Sequence, residues 1–402
     1  MIEEIRPALL GLTTCRDLLR EPLMRQVRAL LDALAAGDGE AALEHYTEIF
    51  YGLRQAGKAG LGDWLWDRLR YTESPYPALL DRGGADPALE GAARRDVDTL
   101  ARLAGLDCGV LIAATAALLP ESFRTVLEAL PRWESAVPFT FDDLTAFYRV
   151  HGAGLFARYR AFLWSEGRLI PVSDPDTPQE EEMMGYGLQR EQVIANTRAF
   201  LAGKRVNDVL LYGDSGTGKS ATVKSLLSLP GFEDLRLIEV QKEGLADLPR
   251  LIRKLGGRRL KFILFIDDLA FDQDDTTYSV MKTILEGGLE RRPANVAIYA
   301  TSNRRHLVRQ TFSDRAGDEV DASETIQEKT SLAERFGLRI PYLALNQGDY
   351  LNMVERMAVL YGVELDKQEL CTGALRWEMR HPGRTPRTAK QFIASLHLAD
   401  KQ

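Results

Sequence analysis

Cysteine, net positive charge and long apolar runs are all scarce in this 402-residue chain. Its three cysteines, Cys15, Cys108 and Cys371, are odd in number and far apart. They offer neither a disulfide framework nor a zinc-ligand spacing, which points to a reducing cytoplasm. The formal net charge is −7. The molecule as a whole therefore exerts no pull on nucleic acid or an anionic membrane, although a local basic face is compatible with it. The best apolar run, "GVLIAATAALLP" at 109–120, is well short of the roughly 20 residues that cross a bilayer and reads as a buried helix. The opening "MIEEIRPALLGL" is acidic and lacks the basic start of a signal peptide. No membrane association is expected, and no internal repeat is visible.

What is present is the balance of an ordinary globular protein. Hydrophobic residues make up 45% and charged residues 27%, enough to bury a large core across two or three domains. Residues 1–165 read as an all-helical domain. "MRQVRALLDALAAGD" and "RRDVDTLARLAGL" carry apolar residues at helical spacing, and each ends at glycine or aspartate. The aromatic-rich "FTFDDLTAFYRVHGAGLFARYRAFLW" reads as core, or as a face that docks onto the rest of the chain. Its "GAGLFA" fits G-x-G-x-x-[GA], but no buried strand precedes it, so a dinucleotide site is not expected there. Residues 166–184, ending in "SDPDTPQEEEMM", read as a linker because prolines and acids replace apolar residues.

From 185 to 347 strands and helices alternate. "DVLLYG", "LRLIEV", "KFILFIDD", "NVAIYATSN" and "LRIPYLAL" are strands with apolar runs rather than polar alternation. That pattern predicts a parallel sheet covered on both faces. The acidic stretch 313–330 reads as a loop. Residues 348–402 hold three helical patterns and form a small helical subdomain.

The segment "GDSGTGKS" at 213–220 matches G-x-x-x-x-G-K-[ST], between a strand and a helix. Gly213, Gly216 and Gly218 let the backbone turn its amides inward, around the variable Asp214, Ser215 and Thr217. These amides and the following helix start, through Ala221, make an anion cradle. Lys219 is placed to reach the β and γ phosphates and Ser220 to offer its hydroxyl to Mg²⁺. A phosphate loop also needs a carboxylate strand. "ILFIDDL" supplies Asp267 for the metal, directly or through water, and Asp268 as the base that polarises an attacking water. "AIYATSN" ends in Thr301, Ser302 and Asn303, of which Asn303 can bond the γ-phosphate or that water. Strand-end capping is the plainer role for these polar groups.

In this order the motifs resemble those of AAA+ ATPases. "GDSGTGKS" resembles Walker A, "ILFIDD" Walker B and "ATSN" sensor 1. "LAERFG" places Arg335 like an arginine finger, and "GRTPRTAKQFI" places Arg387 like sensor 2. A narrower resemblance is to an AAA+ family classed as a domain of unknown function, carried by "NTRAFLAGKRVNDVLLYGDSGTGKS", "LRLIEVQKEGLADLP" and "LEGGLERRPANVAIYATSNRRHL". The resemblance implies a P-loop α/β module with a five-stranded parallel sheet ordered 5-1-4-3-2 and a C-terminal helical lid. It implies ATP and Mg²⁺ between sheet and lid, with the adenine near Gly185, Tyr186 and Leu188. Arg335 acting in trans implies a homo-oligomer, with Arg304 and Arg305 as rivals for that role. Arg387 acts in cis.

Asp268 departs from the Asp-Glu of many relatives and is one methylene shorter. An oligomeric ATPase that remodels or switches a protein partner, recruited by the helical domain, is the leading expectation. A slow nucleotide-gated switch is the second. The third is a DNA-associated loader, suggested by the basic clusters "GGRRLK", "LERRP", "SNRRHLVRQ" and "MRHPGRTPR". Those clusters read more simply as solvated faces, a subunit interface and ATP sensors. The region after the second strand, "IEVQKEGLADLP", lacks the aromatic of a peptide-gripping pore.

Overall fold

The computed structural model describes residues 2–271, 276–286, 291–303, 332–381 and 383–399. It divides into two compact units, residues 1–158 and 159–402.

The first unit is helical, as its spacing predicts. Its helices include Pro22–Ala36, Gly39–Gln55, Pro87–Ala104 and Phe141–His151. Their starts follow local chemistry. Asp38 accepts from the Ala41 N–H, Asp86 from those of Ala88 and Leu89, and Thr140 with Asp143 forms a capping box. The aromatic segment is core: Phe141 and Tyr148 are buried, and the Tyr148 hydroxyl donates to Leu69 O at 2.6 Å. The apolar run 109–120 contributes to the helix Cys108–Ala116, which buries Leu111 but leaves Val110 40% exposed. It is therefore half-buried rather than buried. No single described helix is long and apolar enough to cross a membrane; Pro87–Ala104 and Cys108–Ala116 pass by length and composition only as a pair bent by 69°. Gly152 and Gly154 have φ of +78° and +65° and turn the chain after a helix, not after a strand.

The second unit is built on one seven-stranded sheet. Its strands are β1 (Ala161–Ser165), β2 (Arg168–Val172), β3 (Val209–Gly213), β4 (Leu235–Val240), β5 (Lys261–Ile266), β6 (Val296–Ser302) and β7 (Leu338–Tyr342), in the order β2-β1-β4-β5-β6-β3-β7. The five strands β3 to β7 are parallel and stand in the expected 5-1-4-3-2 order. The central strands bury every residue or nearly so, which explains their lack of polar alternation.

The sheet extends two strands beyond that expectation. β1 runs parallel to β4, and β2 returns antiparallel to β1. Residues 161–165, expected in the helical domain, and 168–172, expected in a linker, therefore belong to the sheet. A five-residue apolar run carries too short a period to separate strand from helix. Pro171 sits at the outer edge for a physical reason. The Leu237 N–H bonds Arg160 O, so the even-numbered residues of β1 face β4 and its odd ones face β2. Phe162 and Pro171 oppose each other without exchanging hydrogen bonds. The proline nitrogen thus points to the sheet edge, where a missing donor does no harm and discourages a further strand.

After the sheet, the helices Gln347–Leu360, Lys367–Glu378 and Pro386–Ala399 pack around their own core of Tyr350, Val354, Ala374 and Ile393. These are the three expected lid helices. Met184 joins that core, while Tyr186 joins the core beneath the sheet. The end of the expected linker is thus packed on both sides.

Candidate active site

The phosphate loop leaves the C-terminal end of β3 and enters the helix Lys219–Ser225. Its glycines are required by geometry. Gly216 and Gly218 have φ of +77° and +91°, and a Cβ on Gly213 would lie 2.2 Å from Tyr342 O. The loop is stitched internally by Thr217, whose hydroxyl donates to Asp214 O at 2.8 Å. Asp214 ties it to the start of the lid connection: its N–H donates to Tyr342 O, and its carboxylate accepts the Ala344 N–H at 2.6 Å.

Lys219 is buried, 6% exposed, and burial lowers its pKa from the ordinary lysine value against the opposing pull of Asp214, Asp268 and Asp267. Its ammonium donates to Gly213 O at 2.9 Å, Asp214 O at 2.7 Å and Asn303 Oδ1 at 2.9 Å. All three donor positions are therefore filled.

Asp267 and Asp268 follow the end of β5, and Thr301 and Asn303 lie at the end of the neighbouring β6. Asp267 Oδ1 accepts from Ser220 at 2.6 Å and from Thr301. The Thr301 hydroxyl in turn accepts the Asp268 N–H at 2.9 Å, and Asn303 Nδ2 donates to Asp268 Oδ1 at 2.8 Å. Asp268 has a φ of +50°, a left-handed backbone that aspartate tolerates better than most residues. One hydrogen-bonded chain thus runs from Lys219 through Asn303 to Asp268, and a second from Ser220 through Asp267 to Thr301.

A cleft of about 600 Å³ opens over these groups. Ser215 to Ala221, Asp267, Asp268, Thr301 and Asn303 line it, and Arg387 closes it from the lid. The Arg387 N–H donates to Gly216 O at 3.2 Å and its guanidinium to Ser215 Oγ at 3.4 Å. A smaller cavity of about 150 Å³ adjoins it, sharing Thr217, Gly218 and Ala221. Gly185 and Tyr186 line this second space, on the side where the adenine is expected. Tyr186 stacks on Tyr342 with centroids 4.9 Å apart and donates to Leu343 O at 2.6 Å. Burial, with Asp214 nearby, raises its pKa, so it remains a donor.

Three expectations fare differently. Leu188 is 83% exposed and lines neither cavity. It sits in the first turn of the helix Gly187–Leu201, on the face turned to solvent. Arg335 lies away from the cleft and pairs with Glu286 at 2.9 Å. Arg304 and Arg305 fall outside the described residues, as does the stretch 313–330. Sequence reasoning missed Glu182, Arg190, Tyr342 and Lys390, which also line these cavities. Lys390 was findable, because it follows Arg387 by three residues on one helix. The others come together only through the fold.

The donor set suits a metal that leans on its ligand. Among the described residues no cluster of three His, Cys, Asp or Glu side chains forms a metal cage. Ser220 and Asp267 instead present a hydroxyl and a carboxylate oxygen at one point beside an anion cradle, which is how Mg²⁺ is held with substrate phosphates.

A family model described as a protein of unknown function, DUF815, matches residues 157–399. No curated protein matches the chain. Among solved structures, RuvB of Thermotoga maritima, a Holliday junction branch migration motor, aligns over 54% of this chain and 63% of its own at 16% identity and a TM-score of 0.36. A single-substitution variant of the same protein aligns over 52% and 61%, at 16% identity and a TM-score of 0.35. The chain spans somewhat under two thirds of the length of these structures.

Proposed function

The chain belongs to the DUF815 family, and within it we propose that this member binds ATP with Mg²⁺ and hydrolyses it in a homo-oligomer to remodel or switch a protein partner. The observation that carries the reading is the chain of hydrogen bonds linking Lys219, Asn303 and Asp268 at the floor of a cleft walled by the phosphate loop and the lid. Lys219 is the group that exchanges its two carbonyl partners for phosphate oxygens. Ser220 and Asp267 would hold Mg²⁺, which when bound would supply positive charge against the phosphates. Asp268 takes up the proton of the attacking water, and Asn303 fixes the carboxylate that does so. Arg387, already seated on the loop at Gly216 and Ser215, meets the bound phosphates from the lid side in cis. Gly185 and Tyr186 bound the adenine end.

Arg335 serves a neighbouring subunit, which fits its place outside the cleft of its own chain. The helical domain supplies the partner contact, and the cell compartment is the cytoplasm. Titration calorimetry of the purified chain with Mg·ATP tests the reading. The wild type binds, and Lys219→Ala loses binding by about 100-fold or more, since charge-assisted bonds to phosphate go with it. A wild type that binds no ATP ends the proposal.

A slow nucleotide-gated switch is the second reading. It is favoured by Asp268, whose short carboxylate is already engaged by Asn303. Single-turnover and steady-state rates separate the two. Fast steady-state cycling at all protein concentrations argues for the motor over the switch.

A further inference from the structure

The acidic run at 180–182, which the sequence offers only as part of a linker, reaches into the cleft. Glu180–Glu182 forms a single helical turn, and Glu182 lines both the phosphate-side cleft and the smaller cavity. A carboxylate there opposes an anionic ligand. Asp267 and Asp268 also face the cleft, but they are positioned by Ser220, Thr301 and Asn303 around the expected metal and water. Glu182 has different partners, and both come from the lid. Its Oε1 lies 3.5 Å from Lys390 Nζ and accepts the Tyr361 hydroxyl at 3.2 Å. The ammonium also sits over the Tyr361 ring, 5.9 Å from its centroid.

We propose that Lys390 is a second nucleotide-contacting cation of the lid, held by Glu182 until bound polyphosphate takes it. The inference rests on the reading of the cleft as an ATP site. Lys390 follows Arg387 by three residues on the helix Pro386–Ala399, so the two cations share one face. Both line the same cleft, and Lys390 alone of the two also lines the smaller cavity. Arg387 therefore stands over the loop at Ser215, and Lys390 stands where the phosphate end meets the base end. In the free protein Glu182 gives this ammonium the carboxylate oxygen that a phosphate oxygen later replaces.

The exchange is an easy one. The side chains of Lys390 and Glu182 are 58% and 38% exposed, and such pairs are weak because water screens them. A phosphate group carries more charge than the carboxylate and lies in the same cleft as Lys219, Arg387 and the loop amides. After the exchange Glu182 keeps the Tyr361 hydroxyl. Its turn stays anchored beyond, through Met184 in the lid core and Tyr186 in the sheet core.

A double-mutant cycle on the full chain tests this, with Mg·ATP affinity measured by titration calorimetry at low and constant salt. Lys390→Ala weakens binding by about tenfold, as the loss of one charge-assisted phosphate contact does. Lys390→Arg restores most of it. Glu182→Gln tightens binding by about threefold, because the competing charge is gone. In the Lys390→Ala background the Glu182→Gln gain falls to less than half. Two outcomes overturn the inference alone, with wild-type binding intact. One is unchanged affinity in Lys390→Ala. The other is a Glu182→Gln gain of equal size with and without Lys390, which is general repulsion rather than competition. A wild type that binds no ATP overturns the ATP reading and this inference together.

Discussion

Asp268 has two demands on it in the free protein. Its N–H is tied to Thr301 and its carboxylate to Asn303, while its backbone sits at a φ of +50°. Such an arrangement fixes the carboxylate rather than letting it sample rotamers, which is what a base at the end of a short side chain needs. Asp268→Asn keeps an oxygen for Asn303 Nδ2 and removes the proton acceptor. It is expected to bind Mg·ATP as the wild type does and to hydrolyse it about 100-fold more slowly or worse. Phosphate release measured beside binding checks this, and hydrolysis at the wild-type rate removes Asp268 from the role of base. That Lys219, Asp267, Asp268 and Asn303 meet at one cleft was legible in the sequence because loop, strand end and spacing constrain all four locally. It could not show that Asn303 touches both Lys219 and Asp268, since that needs β3, β5 and β6 side by side. Leu188 stands apart from both cavities for the opposite reason. Its neighbours in sequence approach the base cavity, but one step into the helix turns its side chain to solvent.

At the scale of elements, Asp208 ties together neighbouring strands of the sheet. It is 7% exposed, accepts the Ile298 N–H at 2.8 Å and pairs with Arg292 at 2.6 Å, while its own carbonyl accepts from Leu338. One residue before β3 therefore sets the alignment of β3 with β6 on one side and β7 on the other. Asp208→Ala leaves a buried N–H and a half-buried guanidinium without partners, and is expected to destabilise the α/β unit by about 3 kcal/mol. Urea denaturation followed by a reporter in that unit measures it. A change under about 0.5 kcal/mol, the size of an ordinary surface substitution, would show that the strands align without it. The five strands and three lid helices were readable because each spans a long run bounded by turn residues. The β1–β2 pair was not. "AFLWS" follows helical sequence directly, and Pro171 within "RLIPV" argues against a central strand. Its edge position reconciles the proline with the sheet, and only the topology reveals that position.

For the whole molecule, the question is whether one chain holds a complete site. Lys219, Ser220, Asp267, Asp268, Asn303 and Arg387 all line one cleft, but Arg335 does not. Its guanidinium pairs with Glu286 instead, with 47% of its side chain exposed. An arginine that neutralises transition-state charge must reach the γ-phosphate, and one supplied in trans is worth a factor of about 10³ to 10⁵ in rate in enzymes that use it. Arg335→Ala is accordingly expected to bind Mg·ATP normally and to lose hydrolysis. Lys219→Ala is expected to lose both, while still presenting an intact Arg335 to its neighbour. Mixing the two inactive proteins then makes the deciding measurement. If Arg335 acts across an interface, mixed oligomers contain intact loops facing intact arginines, and hydrolysis returns to a fraction of the wild-type rate that rises with total protein concentration. If Arg335 acts within its own chain, or only through Glu286 on the stability of the unit, no mixture recovers activity, because no subunit then has both a working loop and a working arginine.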